Sequence, residues 1–276
     1  MKKILTLTLI GLFNASSQCH IFTNFFGNNN CSYSSTTTTT INGHTTTTTT
    51  TSNTQNSVTG SGKAKTKRVP LKNIKKVSAS GTGSLLITQC DDPDNCIENL
   101  EITADDNILE YFYGTINGDT LNLGQKNNGA FNPIIPIKYH LTVRDIISIQ
   151  SSGDVKTQYQ TYQDINHLTI KGSGSSTINI NNINAKKLTI NSDSSSSIVV
   201  NGEVERQEIN IEGSGQYNAD TLKSNTAKIQ LSGSAKAYLN VINKIKGIMS
   251  GSSFMDYNKK YSPIIDVKKS GSAKIR

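Results

Sequence analysis

Residues 168–192 read LTIKGSGSSTININNINAKKLTINS, and this stretch decides the fold. Leu168 and Ile170 alternate with polar neighbours. A Gly/Ser knot follows at Gly172–Ser176, and alternation resumes at Ile178 and Ile180. Leu188-Thr189-Ile190 then repeats Leu168-Thr169-Ile170 twenty residues on. Period-2 alternation marks a half-buried strand, and recurrence at about twenty residues marks stacked repeats.

The pattern extends in both directions. The first residue of each knot falls at Ser151, Gly172, Ser192, Gly213, Gly233, Gly251 and Gly271, with a forerunner at Gly81. From 151 the steps are 21, 20, 21, 20, 18 and 20 residues. Two positions before the mark stand Ile149, Ile170, Ile190, Ile211, Leu231 and Met249. Four before it stand Ile147, Leu168, Leu188, Ile209 and Ile229, then Gly247 as a gap, then Val267. Six after it stand Thr157, Ile178, Ile198, Ala219, Leu239 and Tyr257. One coil alone cannot bury these positions. Coils stacked about 4.8 Å apart convert each column into an internal ladder. The expected fold is all-β, a parallel β-helix-like solenoid of about 20-residue coils, with an antiparallel meander of hairpins as the competing architecture. Glycine suits the corner because it accepts φ > 0, and serine can bond to nearby backbone. The marks at 81 and 151 lie 70 residues apart, room for roughly three more coils and a hairpin at Asn117-Gly118-Asp119.

Composition agrees with a thin core. Of 276 residues 34% are hydrophobic, and there is no Trp. A solenoid needs only a narrow apolar spine, so it tolerates this better than a thick globule would. The net charge of +8 is uneven. Residues 1–90 hold nine basic and no acidic residues, while 91–276 hold 19 basic against 20 acidic. The basic excess sits at a neck, 63–76, that could lie against an anionic polymer or lipid, although a solvated linker that happens to be basic is the favoured reading. No aromatic residues interleave with it, so nucleic acid is not an expected partner.

Residues 1–17 read as a secretory signal, with Lys2 and Lys3 before the apolar run Ile4–Phe13. Small residues at Ala15 and Ser17 place cleavage between Ser17 and Gln18, with lipidation of Cys19 as the alternative. Residues 18–66 are low in complexity, with threonine runs at Thr36–Thr40 and Thr45–Thr51, and read as a disordered linker. The solenoid domain is expected over 67–276. No transmembrane segment is expected in the mature chain, and no series of amphipathic strands suggests a translocator barrel. Cys90 and Cys96 bracket Asp91-Asp92-Pro93-Asp94-Asn95 and read as a local disulfide. The acids between them offer oxygen ligands, but the spacing is not that of an EF-hand, and no metal or other cofactor is expected.

The entry motif Lys75–Gly83, the stretch Leu100–Leu109 with Asp105-Asp106-Asn107, the turn at Asn117–Leu121 and the recurring cores Lys171–Gly174, Glu212–Gly215 and Leu231–Ser234 form a set. Together they resemble the GIN-type head domain of putative autotransporter adhesins, over about residues 68–276. The resemblance implies a β-helix-like fold at the cell envelope.

Catalytic constellations are not evident. His140 and His167 sit beside strand candidates. Asp154, Asp164, Asp193, Glu203, Glu205, Glu208 and Asp220 occupy different coil positions, and no nucleophile elbow or phosphate loop is present. The leading expectation is a non-enzymatic exported envelope or surface module, held off its attachment point by the threonine-rich segment. It would bind glycans or proteins through Asn, Ser and Thr rows with exposed Tyr159, Tyr162, Tyr217 and Tyr238. A carbohydrate-active β-helical enzyme and a purely structural envelope protein are the alternatives. Oligomeric state is not legible.

Overall fold

The computed structural model describes residues 30–41, 44–55, 57–126, 130–161 and 164–276. The signal at 1–17, the cleavage point at Ser17 and Gln18, Cys19 and Tyr162 lie outside them. The chain divides into two compact units, 1–58 with 129–132 and 59–128 with 133–276.

In the first unit, Asn30–Ile41 pairs antiparallel with His44–Gln55. Thr36–Thr40 face Thr49–Thr45 in register. Of the segment read as a disordered linker, residues 30–41 and 44–55 form a two-stranded ribbon. Threonine is β-branched and favours extended backbone, and Asn-Gly, the dipeptide most suited to two-residue hairpin loops, stands between the runs in the sequence.

The second unit is the solenoid. Thr177–Ser192, Ser197–Ile211, Gln216–Leu231 and Lys236–Met249 follow one another coil by coil, each paired in parallel with the next. Asp164–Gly172 continues the stack on one side and Ile264–Lys269 on the other. Parallel pairing excludes the meander for this region. Its inner columns are apolar: Ile170, Ile190, Ile209 and Ile229 stack directly, and so do Ile178, Ile198, Tyr217 and Ala237. All eight are buried.

The expected columns hold up to Ser192 and then slip by two residues. Ser192 lies on Ile211, not on Gly213. Leu188 therefore stacks on Gln207, and Ile190 on Ile209. Leu168 and Leu188 form one ladder, while Ile209 and Ile229 belong to its neighbour on the same inner face. All four remain buried. A shift of two returns every side chain to the same face of a strand, so alternation cannot reveal it. The knot at Ser192–Ser196 contains no glycine to fix the count.

The true corner column is Gly81, Gly153, Gly174, Ser194, Gly213, Gly233, Gly251 and Gly271, and each of its glycines has positive φ. A Cβ on Gly233 would stand 2.7 Å from the Gly213 carbonyl oxygen, and one on Gly251 equally close to that of Gly233. The corner is tight because each coil rests on the backbone of the last. Serine amides tie it: the N–H of Ser234 donates to Gly213 O and that of Ser252 to Gly233 O, both at 2.7 Å. Beneath the corner the filling changes along the stack. Ser192 and Ser196 share a hydrogen bond of 2.7 Å in the lower coils. Higher up, Ile211, Leu231 and Met249 grow large where Gly215, Ala235 and Ser253 stay small. A Cβ on Gly215 would meet Ser192 Oγ at 2.4 Å.

The 70-residue gap does not hold three further parallel coils. Asn99–Asp105 runs antiparallel to both Lys138–Val143 and Ala64–Pro70, and Phe112–Asn117 forms a hairpin with Thr120–Gln125. Lys138–Val143 and Thr120–Gln125 then hand over in parallel to Thr82–Gln89 and Lys76–Ala79. The compact body begins at Thr59, not Lys67. The reason is Asp105. Its fully buried carboxylate accepts backbone N–H bonds from Gly62 (2.7 Å), Ile134 (3.1 Å) and Ile135 (3.0 Å). Asn107 holds the same segment through Ser61 N and Thr59 O, each at 2.9 Å.

Candidate functional site

Strand alternation that sends apolar residues inward sends the others outward, and stacking lines them up as well. On the strands leading into the glycine corner, three outward columns form one continuous sheet face. The first is His167, Lys187, Arg206, Thr226, Lys244 and Ile264. The second is Ser148, Thr169, Thr189, Glu208, Lys228, Lys246 and Asp266. The third is Gln150, Lys171, Asn191, Asn210, Gln230, Ile248 and Lys268.

This face is shallow rather than cleft. Side chains of unequal length leave open troughs across it. One of about 210 Å³ runs among Gln150, Lys171, Asn191 and Asn210. Another of about 370 Å³ lies among Arg206, Glu208, Lys228, Lys244 and Lys246. A third of similar size spans Thr189, Asn191, Asn210, Gln230 and Ile248. Its charge is one-sided: within the three columns Lys171, Lys187, Arg206, Lys228, Lys244, Lys246 and Lys268 stand against Glu208 and Asp266, while Asp193 and Glu212 line the trough at its corner edge beside Lys171. Lys187 bonds Glu208 at 2.7 Å and Lys244 bonds Asp266 at 3.0 Å. The hydrogen bond from Lys187 holds the Glu208 carboxyl below its ordinary range, and the charge of Lys228 adds to this.

The strands leaving the corner present a more neutral face. One column there is Lys156, Thr177, Ser197, Gln216, Lys236, Phe254 and Lys274. Next to it run Gln158, Asn179, Val199, Asn218, Tyr238 and Asp256. Around the second bend, Asp164, Asn184, Glu203 and Lys223 line up beside a trough of about 340 Å³. Asn184 Nδ2 donates to Asp164 at 2.6 Å, and Lys223 bonds Glu203 at 3.1 Å. Both carboxylates are exposed and already engaged.

The tyrosines expected at the surface are mostly not there. Tyr159 and Tyr217 are fully buried. Tyr217 OH donates to Gln207 Oε1 at 2.7 Å, and Gln207 Nε2 donates to Ser224 Oγ at 2.7 Å. Tyr159 OH reaches Gln89 Oε1 at 3.4 Å. Burial pushes the Tyr159 hydroxyl up to about 12 and that of Tyr217 well above the ordinary value. Each sits on an inward column, so the pleat and not the aromatic type decides its place. Tyr238 is half-buried against Phe254, ring centroids 6.0 Å apart.

His140 Nε2 pairs with Thr88 Oγ1 at 3.1 Å and His167 Nε2 with Thr189 Oγ1 at 2.9 Å, on different faces. Among the described residues no three His, Cys, Asp or Glu side chains gather as a metal site, and no helix is long and apolar enough to cross a membrane. Cys90 and Cys96 are joined by a disulfide with their Cα atoms 5.6 Å apart. Within the loop they close, Asp92 accepts from Asn95 Nδ2 at 2.6 Å and Asp94 N at 3.0 Å. Those bonds hold its carboxyl below the usual value.

A parallel stack with one-residue-deep outward ladders and a glycine corner is specific enough to compare. Residues 95–260 match the family model described as "Putative auto-transporter adhesin, head GIN domain". The chain belongs to the GIN head-domain family. Three solved structures share the fold of this GIN domain. One is titled a putative adhesin from Bacteroides fragilis, with a TM-score of 0.73 and 19% identity, covering 79% of this chain and 98% of that one. Another is titled a putative lipid binding protein from Parabacteroides distasonis, with a TM-score of 0.65 and 19% identity, covering 80% and 98%. The third is titled a putative adhesin from Parabacteroides merdae, with a TM-score of 0.56 and 15% identity, covering 79% and 97%. Among curated proteins there is no match.

The cationic face of the GIN domain escapes a reading by composition. Residues 91–276 are nearly neutral in sum, and only the coil register sorts lysines onto one side. The signal was present as Lys or Arg at outward positions of successive coils, but the two-residue slip scattered it.

Proposed function

We propose that this GIN domain is a non-catalytic exported surface module that presents a rigid solenoid face to glycan or protein ligands. The observation that carries this reading is the continuous outward ladder of polar and charged side chains on a stacked, buried-core scaffold. Solenoids hold such rows at fixed spacing, so a ligand pays little ordering cost on the protein side.

In this proposal the chain is exported by residues 1–17 and cleaved between Ser17 and Gln18. Residues 18–58 act as the stalk and 59–276 as the head. The Cys90–Cys96 bridge fits an oxidising compartment outside the cytoplasm. The head fold shared with structures titled putative adhesins supports a binding role, and the word lipid in one neighbour's title supports an envelope setting.

The test is deletion. Cells expressing the chain without 59–276 should lose attachment to surfaces or to purified envelope material while still exporting the stalk. Unchanged attachment would remove the proposal.

A further inference from the structure

The face leading into the glycine corner carries a regular array of positive charge. Lys171, Lys187, Arg206, Lys228, Lys246 and Lys268 stand one to each of six successive coils. They are spread over the three columns, and with adjacent coils about 4.8 Å apart the band extends about 24 Å along the axis. Lys244 adds a seventh cation in the same coil as Lys246. Of the seven, Lys187 and Lys244 have carboxylate partners. Among the described residues, Lys171, Arg206, Lys228, Lys246 and Lys268 form no ion pair.

From this array we infer that the face binds a linear anionic polysaccharide lying along the solenoid axis. Three features of the face choose this occupant. First, each coil contributes a cation within a band three columns wide, and the axial rise per coil is comparable to the advance per ring of an extended sugar chain, so acidic groups along such a chain can meet cations of successive coils. Second, between the cations lie hydroxyl and amide side chains, Thr189, Asn191, Asn210, Thr226 and Gln230, suited to sugar hydroxyls. Third, the face is flat, with no aromatic platform for unstacked bases and only Ile248 and Ile264 to enter a membrane. Long-range attraction on such a face raises association rate and falls with added salt. The inference rests on the binding-module reading and names the ligand class for it.

Full-length mature protein would be titrated with polygalacturonate, dextran sulfate and uncharged dextran at low and physiological salt. Binding is expected to either polyanion and not to dextran, weakening as salt rises. Lys228→Glu/Lys246→Glu should weaken it about tenfold or more, while Lys156→Glu/Lys236→Glu on the neutral face should change it less than threefold. Circular dichroism confirms that each variant folds. No binding to either polyanion, equal loss in both variants, or binding to duplex DNA or to phosphatidylglycerol vesicles alone would overturn the inference. The two readings fail separately: protein that still attaches to envelope material yet ignores polyanions keeps the module and loses the ligand class.

Discussion

Replacing Gly233 by alanine tests the stack directly. The residue has φ +71°, and an added Cβ would lie 2.7 Å from Gly213 O and 3.2 Å from its Cα. Two costs arise. Holding alanine in a left-handed conformation costs about 1–2 kcal/mol. Relieving the close contact means lifting one coil from the next and lengthening the Ser234 N–H bond to Gly213 O, which in packed interiors costs about 1–3 kcal/mol more. The sum is about 2–5 kcal/mol. Gly118 supplies the control, because it has φ +62° in a hairpin turn and its Cβ would meet nothing within 4 Å. Gly118→Ala should therefore cost only the first part. Urea unfolding followed by far-UV circular dichroism suits a chain without Trp. The coil register described above is wrong if Gly233→Ala proves no more destabilising than Gly118→Ala.

The buried polar groups give further tests. Gln207→Leu leaves Tyr217 OH without its acceptor and should cost about 1–3 kcal/mol, while adding Tyr217→Phe should recover part of that loss in a double-mutant cycle. Asp105→Ala orphans three backbone N–H groups and should cost about 3 kcal/mol or more; trypsin should then cut at Lys63, Lys65, Lys67 or Arg68 well before the rest of the head. Because burial raises the Tyr159 and Tyr217 hydroxyls, their neutral forms favour the fold. That contribution is whole below about pH 10, the ordinary tyrosine value, and is lost as pH rises above it, for Tyr159 as pH climbs through about 12. Urea midpoints should be flat from pH 8 to 9.5 and decline above it, with Tyr159→Phe/Tyr217→Phe showing a shallower decline.

The parallel coils were legible because Leu168-Thr169-Ile170 and Leu188-Thr189-Ile190 repeat almost letter for letter. What alternation could not carry was absolute register, since a shift of two leaves inward residues inward. Asn99–Asp105 alternates as any coil strand would, so its antiparallel direction was hidden until its partners were known. In the sequence Asp105 stands out only within the Leu100–Leu109 stretch and not as an anchor for Gly62, because a buried carboxylate is defined by amides distant in sequence. Residue type alone puts Tyr159 and Tyr217 outside, although their positions in phase with Ile180 and Ile198 point inward. The cationic face required every coil to be in step, and one glycine-free corner was enough to obscure it.

The change of filling beneath the corner limits how freely the coils can be rearranged. In one half Ser192 meets Ser196; in the other, bulky Ile211, Leu231 and Met249 are accommodated by small Gly215, Ala235 and Ser253. Despite their shared period, the repeats are therefore not interchangeable bricks. Transplanting a segment across that boundary, or duplicating one to lengthen the head, would bring a large side chain against a hydroxyl pair or leave a hole, so extension of this architecture has to proceed from like to like.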